Sequence, residues 1–152
     1  MILSIEWSRP LVLRDGSKDN LIYTAAVDKL PAAPGIYIFG RRFAKTFEAL
    51  YVGQATGIRG RVEIQFNNLR LMQHLKKART GKRIVLAGHF KAKPGQHLKK
   101  CLDLAELALI RHFLSEGHDL VNKQGVTLRG HEVQSSGKYP KRYFPRTINL
   151  QR

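Results

Sequence analysis

The apolar residues of this chain occur in short runs that are separated by glycine, proline and charged residues. Residues 34–40 form a β-branched and aromatic run bounded by Pro34 and Gly40, and they predict a strand. Residues 49–53 predict a second strand, and residues 83–91 predict a third. Because the first two are close in sequence, their simplest arrangement is an antiparallel pair.

Two segments have the spacing of helices. From Ile58 to Leu75, apolar residues recur at intervals of three and four positions, which predicts one amphipathic helix that Gly81 ends. Its polar side carries Arg59, Arg61, Gln65, Arg70, Lys76 and Lys77. Residues 98–114 predict a second, strongly apolar helix. The order strand, strand, helix, strand, helix indicates an α+β fold.

Both ends of the chain have weaker patterns. Residues 2–7 and 11–13 are short apolar stretches broken by Pro10, which favours an N-terminal hairpin or arm. Residues 21–30 predict a strand followed by a short helical turn. The expected organisation is an arm over residues 1–33, one domain over residues 34–124 and a basic aromatic tail over residues 125–152.

Basic and aromatic residues are interleaved in this tail. The residues concerned are Lys138, Lys141, Arg142, Arg146 and Arg152, with Tyr139, Tyr143 and Phe144. Cations that contact phosphates and rings that stack on bases are typical of single-strand binding. A tail that docks on the domain without a ligand is the alternative.

Length and charge narrow the choice of function. The 152 residues suffice for one domain with a hydrophobic core. Lys and Arg number 27 against 11 Asp and Glu, which gives a net charge of +16. So large an excess in a small domain favours nucleic acid as the partner, with an anionic membrane second.

The single cysteine, Cys101, excludes an internal disulfide, and no Cys and His spacing fits a structural zinc site. Glu6, Arg9 and Pro10 interrupt the N-terminal sequence before a signal-peptide hydrophobic region could form. No uncharged apolar run approaches the length of a membrane span. We therefore expect a cytoplasmic protein with no membrane partner.

Glu106 interrupts the apolar pattern of the second helix. It lies on the same stripe as Leu102, Leu109, Ile110 and Phe113. A carboxylate in such a place is normally paired with a cation, held by hydrogen bonds or bound to a metal. In a chain this basic, a salt bridge to a core-facing arginine is the alternative to a metal.

Five positions in chain order carry a family resemblance: Gly35-Ile36-Tyr37, Tyr51-Val52-Gly53, Arg61 eight residues after Gly53, Glu106 in a helix, and Asn122. On this scaffold, residues 34–124 resemble the GIY-YIG nuclease family. The resemblance implies a small three-stranded antiparallel sheet flanked by helices, with the N-terminal arm and the basic tail outside it.

The resemblance also implies roles in phosphodiester hydrolysis. Glu106 would hold one divalent cation, Mg²⁺ or Mn²⁺, which needs few protein ligands. Tyr37 would be the general base, with a pKa lowered by a cationic neighbourhood, and Tyr51 would hold water or phosphate. Arg61 would clamp the scissile phosphate, and Asn122 would orient groups near the metal.

Two departures from the family pattern affect these roles. The connection between the first two strands is longer than usual, which predicts an extended loop that carries Arg41, Arg42 and Lys45. Gln65 stands one helical turn after Arg61, where family members often carry His or Tyr. Glutamine cannot exchange protons, so proton transfer falls to Tyr37 or to metal-bound water.

The expected function is a metal-dependent DNA endonuclease that acts on single-stranded or distorted DNA, as a monomer or homodimer without a small-molecule cofactor. The expected catalytic residues are Tyr37, Tyr51, Arg61, Gln65, Glu106 and Asn122. The expected nucleic-acid contacts are Arg41, Arg42, Lys45, Arg59, Lys138, Lys141, Arg142 and Tyr143. A compact dimeric restriction-type enzyme on duplex DNA and a non-catalytic nucleic-acid-binding protein are the alternatives.

Overall fold

The computed structural model describes residues 1–121 and 131–150 and has a mixed α+β fold, as predicted. The strands are β1 (Ile2–Trp7), β2 (Leu11–Val12), β3 (Arg14–Asp15), β4 (Tyr23–Thr24), β5 (Gly35–Phe43), β6 (Thr46–Ala55), β7 (Lys82–Lys91), β8 (His131–Gly137) and β9 (Thr147–Leu150). The helices are α1 (Ile58–Gln65), α2 (Leu69–Lys77) and α3 (Leu98–Ser115). Short 3-10 turns lie at Ser17–Asp19 and Val27–Lys29.

The main sheet has seven strands in the order β6-β5-β7-β1-β8-β9, with β2 also paired to β7. The three strands predicted from sequence, β5, β6 and β7, are adjacent and antiparallel. The prediction of a sheet with only three strands was wrong, because strands from both ends of the chain extend the sheet beyond β7. Among the described strands, β6 forms one edge of this sheet.

The N-terminal segment is part of the sheet. Strand β1 lies between β7, to which it is antiparallel, and β8, to which it is parallel. Leu3, Ile5 and Trp7 are buried on one face of β1. The expected hairpin between residues 2–7 and 11–13 was wrong, because β1 and β2 both pair with β7.

The β5–β6 hairpin is longer and tighter than predicted. The strands run to Phe43 and start again at Thr46, so only two residues connect them, where we expected a loop over residues 41–48. Ala44 adopts a positive φ of 51° in this turn. The paired part of the hairpin therefore includes Arg41, whose partner on the opposite strand is Glu48.

The predicted first helix is two helices. Helix α1 ends at Gln65 and α2 begins at Leu69, after Asn68 has capped it by accepting a hydrogen bond at Oδ1 from the Leu71 N–H at 3.2 Å. Such caps satisfy backbone donors that have no partner within the helix. Within the described part of the chain, no helix is both long and apolar enough to cross a membrane.

Helices cover both faces of the sheet. Helix α3 packs with Ile36, Ile38 and Val52 on one face, in a core that Trp7 and Phe144 also join. Helices α1 and α2 pack on the opposite face, with the side chains of Tyr37, Phe39 and Leu50. Because successive side chains of β5 point to opposite faces of the sheet, Tyr37 lies on the side of α1.

The aromatic residues of the tail belong to the core. The Tyr143 ring stacks on Phe47 with centroids 4.2 Å apart, and Tyr139 stacks on Phe144 at 5.1 Å. Tyr143 is only 8% exposed, and Phe144 packs on Trp7 with centroids 5.3 Å apart. The expectation that these rings stack on bases was wrong, because their faces are occupied by other side chains.

Candidate active site at the edge of the sheet

Tyr37, Tyr51 and Gln65 form a hydrogen-bonded cluster on the α1 side of the sheet. Gln65 donates from Nε2 to the Tyr37 hydroxyl at 2.7 Å and to the Tyr51 hydroxyl at 3.3 Å. The two rings are nearly parallel, with centroids 6.0 Å apart. Tyr37 is 1% exposed and Gln65 is 8% exposed, whereas Tyr51 is half-buried. The structure therefore brings together three of the predicted catalytic residues.

Asn68 fixes which end of the Gln65 amide meets the tyrosines. It donates from Nδ2 to Gln65 Oε1 at 2.9 Å, which leaves the Gln65 NH₂ group for the two hydroxyls. Both phenolic oxygens therefore act as acceptors towards Gln65. Tyr51 also lies close enough to accept the hydroxyl hydrogen of Tyr37. The Tyr51 hydrogen is then left for another acceptor, because a hydroxyl carries one donor besides its lone pairs.

Burial raises the pKa of Tyr37 well above the ordinary value of a phenol, and the neighbouring Tyr51 adds to the rise. The hydrogen bond from Gln65 and the charge of Arg61 oppose it without reversing it. The expected lowering of this pKa was wrong for the protein alone. Burial destabilises the charged phenolate form of Tyr37 more than the nearby charge of Arg61 stabilises it.

Arg61 lies in the first turn of α1 and is exposed. It precedes Gln65 by four residues, which places both side chains on one face of the helix. Its guanidinium has no hydrogen bond or ion pair with any residue that the structure describes. By contrast, Arg59 donates to the carbonyl oxygens of Leu30 at 2.9 Å and Asp28 at 3.3 Å, so it anchors a neighbouring turn.

Gly53 lets the Tyr37 ring lie across the edge strand. The two residues are register partners, and a Cβ added at Gly53 would lie 2.5 Å from the Tyr37 hydroxyl oxygen. Only a residue without a side chain allows this approach. The Tyr37 hydroxyl is therefore held directly above the backbone of β6.

Glu106 reaches the same strand from the other face of the sheet. It is half-buried on α3 and lies against Gln54, whose side chain and backbone lower its pKa. Burial raises the pKa of Glu106, Asp103 adds to the rise, and the bonds from Gln54 oppose it. The alternative of an arginine partner is not met, since no arginine among the described residues pairs with Glu106.

Asp103 lies one turn before Glu106 and shares its partners. Gln54 Nε2 donates to Asp103, and Lys99 Nζ donates to it at 2.7 Å. Although desolvation raises the pKa of Asp103, the bonds from Lys99 and Gln54 hold it below its usual value. Two carboxylates, one amide and one ammonium group thus meet at the β6 edge.

This donor set fits a hard divalent cation. Carboxylate oxygens are the ligands that Mg²⁺ prefers, and a cation that keeps most of its waters needs only one or two of them. The raised pKa of Glu106 means that its negative charge is not fully compensated by its neighbours. No group of three or more His, Cys, Asp or Glu side chains converges anywhere in the described ranges, so this site offers a pair of carboxylates and no larger ligand set.

The two halves of the site are joined through consecutive residues of β6. Gly53 lies beneath the Tyr37 hydroxyl, and the next residue, Gln54, donates to Asp103 and lies against Glu106. The tyrosine cluster and the carboxylate pair therefore lie on either side of one short stretch of edge strand. Asn122 lies outside the described residues.

The predicted nucleic-acid contacts are dispersed. Arg41 is 8% exposed and donates to Glu48 at 2.6 Å and to the Thr80 carbonyl oxygen at 2.8 Å, so the expectation that it binds nucleic acid was wrong. Arg42 is half-buried beside it. Exposed Lys45 lines a depression on the α3 side of the sheet, together with Lys141 and Arg142.

Of the remaining predicted contacts, Lys138 is exposed and Tyr143 is buried in the core. Sequence reasoning missed Gln54, Asp103 and Asn68. The position of Asp103, three residues before Glu106 on a helix, was a usable signal. Nothing in the sequence marks Gln54 or Asn68, because their roles depend on contacts between separate elements.

No family model, no curated protein and no solved structure matches this chain. The resemblance to GIY-YIG nucleases therefore depends on the residues and the geometry described above.

Proposed function

We propose that this chain is a metal-dependent DNA endonuclease of the GIY-YIG type. The observation that carries the proposal is the Gln65 amide, which bridges the hydroxyls of Tyr37 and Tyr51 one helical turn from Arg61. Four of the five positions that carry the resemblance surround the β6 edge, on β5, β6, α1 and α3. We take β5, β6 and β7 as the three-stranded centre of the family fold, to which this chain adds strands from both ends.

The tyrosine cluster places polar groups in an apolar region, where they reduce stability, and this favours a functional role for the cluster. Gln65 and the two hydroxyls lie among apolar residues such as Phe39 and Phe66, and buried polar groups reduce stability unless they are fully hydrogen-bonded. Apolar side chains would fill this space without that requirement. Polar groups kept at such a place are typical of a site that acts on a ligand.

Glu106 would hold the divalent cation, with Asp103 beside it. When bound, the cation would neutralise charge on the phosphate and activate a water. Gln54 lies against the Glu106 carboxylate and donates from Nε2 to Asp103. Lys99, which now lies against Asp103, is exposed and can move aside at small cost.

Tyr37 keeps its proton in this proposal. Even a phenol with an ordinary pKa near 10 is ionised in only about one molecule in a thousand at pH 7, and burial reduces that fraction further. Tyr51, which is half-buried, would therefore donate its hydroxyl hydrogen to the attacking water or to a phosphate oxygen, and buried Tyr37 would support it from behind. Burial therefore disfavours Tyr37 as the general base, and the attacking water would pass its proton to solvent water.

Arg61 would clamp the scissile phosphate. Its guanidinium is exposed, has no partner within the described ranges, and lies close enough to Tyr37 for its charge to affect that pKa. A planar fork of donors suits the two free oxygens of a phosphodiester.

The preference for single-stranded DNA loses its basis, because the tail aromatics are buried. Base stacking by Tyr139, Tyr143 and Phe144 was the reason for it. The proposed substrate is therefore DNA without a preferred strandedness, and a duplex-cutting dimer remains compatible with the site.

A non-catalytic nucleic-acid-binding protein is the second candidate, and one observation favours it. Lys99 Nζ and Gln54 Nε2 already donate to the carboxylate of Asp103, so one of the two carboxylates has partners without a metal. Such a protein would bind DNA through its charge and would not cut it.

Incubation with circular single-stranded and duplex DNA, with Mg²⁺, Mn²⁺ or EDTA, tests the proposal. We expect cutting that requires the metal and is lost in Glu106→Gln, which keeps the hydrogen-bond acceptor for Gln54 but not the charge. Glu63→Gln, an exposed carboxylate on α1, is the matched control and should cut normally. DNA binding without cutting, across both metals and both circles, would instead establish the second candidate.

A further inference from the structure

A groove lined by basic side chains runs along the polar face of α2. It consists of two adjoining depressions, of about 420 and 680 Å³, which share His74, Lys77 and Asp119. Helix α2 forms one wall. Strand β6, at Leu50, and residues 119–121 form the other.

The pattern of α2 explains why its cations face the groove. Leu71, Met72 and Leu75 are buried against the sheet. The opposite face carries Arg70, Gln73, His74 and Lys77, at the spacing that aligns side chains along one side of a helix. From Arg70 to Lys77 the axis rises by about 10 Å, which equals the rise of about three base pairs.

Three cations of the groove have no partner among the residues that the structure describes. Arg70, Lys77 and Arg79 are exposed, and none of them has an ion pair or hydrogen bond from its side chain to the described residues. Of the two carboxylates there, Glu48 is paired with Arg41 at 2.6 Å and Asp119 lies 3.9 Å from His74. A concave surface with uncompensated positive charge attracts a polyanion.

Two residues that line the groove, Leu50 and Arg70, are close in sequence to residues of the candidate active site. The Val121 N–H donates to the Leu50 carbonyl oxygen at 2.9 Å, which fixes this wall to β6 immediately before Tyr51. Arg70 follows Asn68, which holds Gln65, by two residues. A strand in the groove would therefore continue towards Tyr51 and Gln65.

We propose that this groove, defined by Arg70, Lys77 and Arg79, binds the sugar-phosphate backbone of nucleic acid on one side of the cleaved bond. The choice of DNA as the polymer and the cleavage of a bond beside the groove both rest on the proposed function. Arginine supplies paired donors for phosphate, and lysine supplies a point charge between them.

The test compares two triple variants with equal loss of charge. Arg70→Gln/Lys77→Gln/Arg79→Gln removes the groove cations. Arg9→Gln/Arg14→Gln/Lys29→Gln removes two arginines and one lysine from a separate depression near the N-terminus. All six side chains are exposed, so both variants should fold, which thermal melting checks.

Binding is measured by fluorescence anisotropy with a labelled DNA duplex and its single strand, in EDTA so that nothing is cut. We expect the groove variant to bind at least about tenfold more weakly, with a log–log salt slope smaller by about 2 to 3. The control variant should change the slope by less than about 1. Arg70→Lys/Arg79→Lys keeps the charge and should keep most of the affinity.

Equal losses in both triple variants, or no loss in the groove variant, would overturn the assignment of the groove. The result is separable from that of the cleavage assay. A protein that binds DNA through the groove and never cuts it would contradict only the proposed function. A nuclease whose groove variant binds like the wild type would contradict only the groove.

Discussion

Asn68 Nδ2 lies 2.9 Å from Gln65 Oε1, and this one hydrogen bond sets the direction of the others in the tyrosine cluster. An amide that accepts from Asn68 must present its NH₂ group to Tyr37 and Tyr51. Asn68 also caps α2 through its oxygen, so a single side chain supports the helix with one atom and orients Gln65 with another.

Asn68→Asp should separate these two functions. Aspartate caps a helix as well as asparagine, and its charge suits the helix N-terminus, so α2 should remain intact. Its second oxygen cannot donate to Gln65 Oε1, so the Gln65 amide should turn and make the tyrosine hydroxyls donate to it. If those hydroxyls serve the substrate, cleavage should fall by about 10- to 100-fold with little change in melting temperature.

Asn68→Ala is the contrasting variant, because it removes the cap and should cost about 1 kcal/mol of stability. Wild-type cutting by Asn68→Asp would mean that the direction of the Gln65 amide does not matter to the reaction.

Gly53→Ala should damage the site through packing. The added methyl group would meet the Tyr37 ring, which is buried and has little room to move. We expect a loss of about 1 to 3 kcal/mol of unfolding free energy, measured by urea titration, together with loss of cutting. Gly60→Ala on α1 meets no atom within 4 Å and should stabilise the helix by about 0.5 to 1 kcal/mol. Equal stability of the two variants would show that the Tyr37 ring is not confined by the strand.

The strands at the centre of the fold were predictable because their signal is local. Residues 34–40 and 49–53 are β-branched and aromatic, and glycine or proline marks their limits. The amphipathic period between Ile58 and Leu75 was also visible. Its interruption at Asn68 was not, because a cap and a break in the helix leave the spacing of apolar residues almost unchanged.

The ends of the chain were misjudged for a different reason. The pairing of β1 with β8 joins residues separated by 130 positions, as Ile2 with Glu132, and no local pattern reports such a contact. The tail aromatics suggested base stacking because their composition is the same whether they meet a base or Phe47 and Trp7. For the site, residue type and order predicted Tyr37, Tyr51 and Gln65 as neighbours, whereas the pKa of Tyr37 depended on burial.

Ser135→Ala tests the link between the two ends of the chain. Trp7 Nε1 donates to Ser135 Oγ at 3.0 Å, and both residues are 2% exposed. Removal of the hydroxyl leaves a buried N–H without its acceptor, which should cost about 1 to 3 kcal/mol in urea unfolding. Ser136→Ala, at an exposed neighbouring position whose hydroxyl makes only a long hydrogen bond of 3.4 Å to the Ile5 carbonyl oxygen, should change stability by less than about 0.5 kcal/mol. A loss of equal size in both variants would mean that the indole hydrogen bond contributes nothing specific.

His118 should make the stability of the fold depend on pH. Its Nδ1 accepts a hydrogen bond from the Ala49 N–H at 2.7 Å, and its ring packs on Phe113 with centroids 4.9 Å apart. Burial lowers the pKa of His118, and the charges of Glu48 and Glu116 oppose this while His112 adds to it. Protonation of Nδ1 would place a hydrogen against the Ala49 N–H and break the contact between β6 and the end of α3.

The folded pKa lies below that of the unfolded chain, so the unfolded state binds the proton first as the pH falls. Stability should therefore be complete above about pH 6.5 and should decline as the pH falls from there towards the folded pKa. For one group the slope is at most about 1.4 kcal/mol per pH unit. His118→Asn, whose side-chain oxygen can replace Nδ1 as the acceptor, should reduce that slope in urea unfolding measured between pH 7.5 and pH 5 (about the range over which histidine titrates). His112 also has a pKa lowered by burial, so His112→Asn provides the reference for a second histidine on the same face. An unchanged pH profile in His118→Asn would mean that His118 binds its proton equally well in the folded and unfolded states. The acid sensitivity would then arise from other residues.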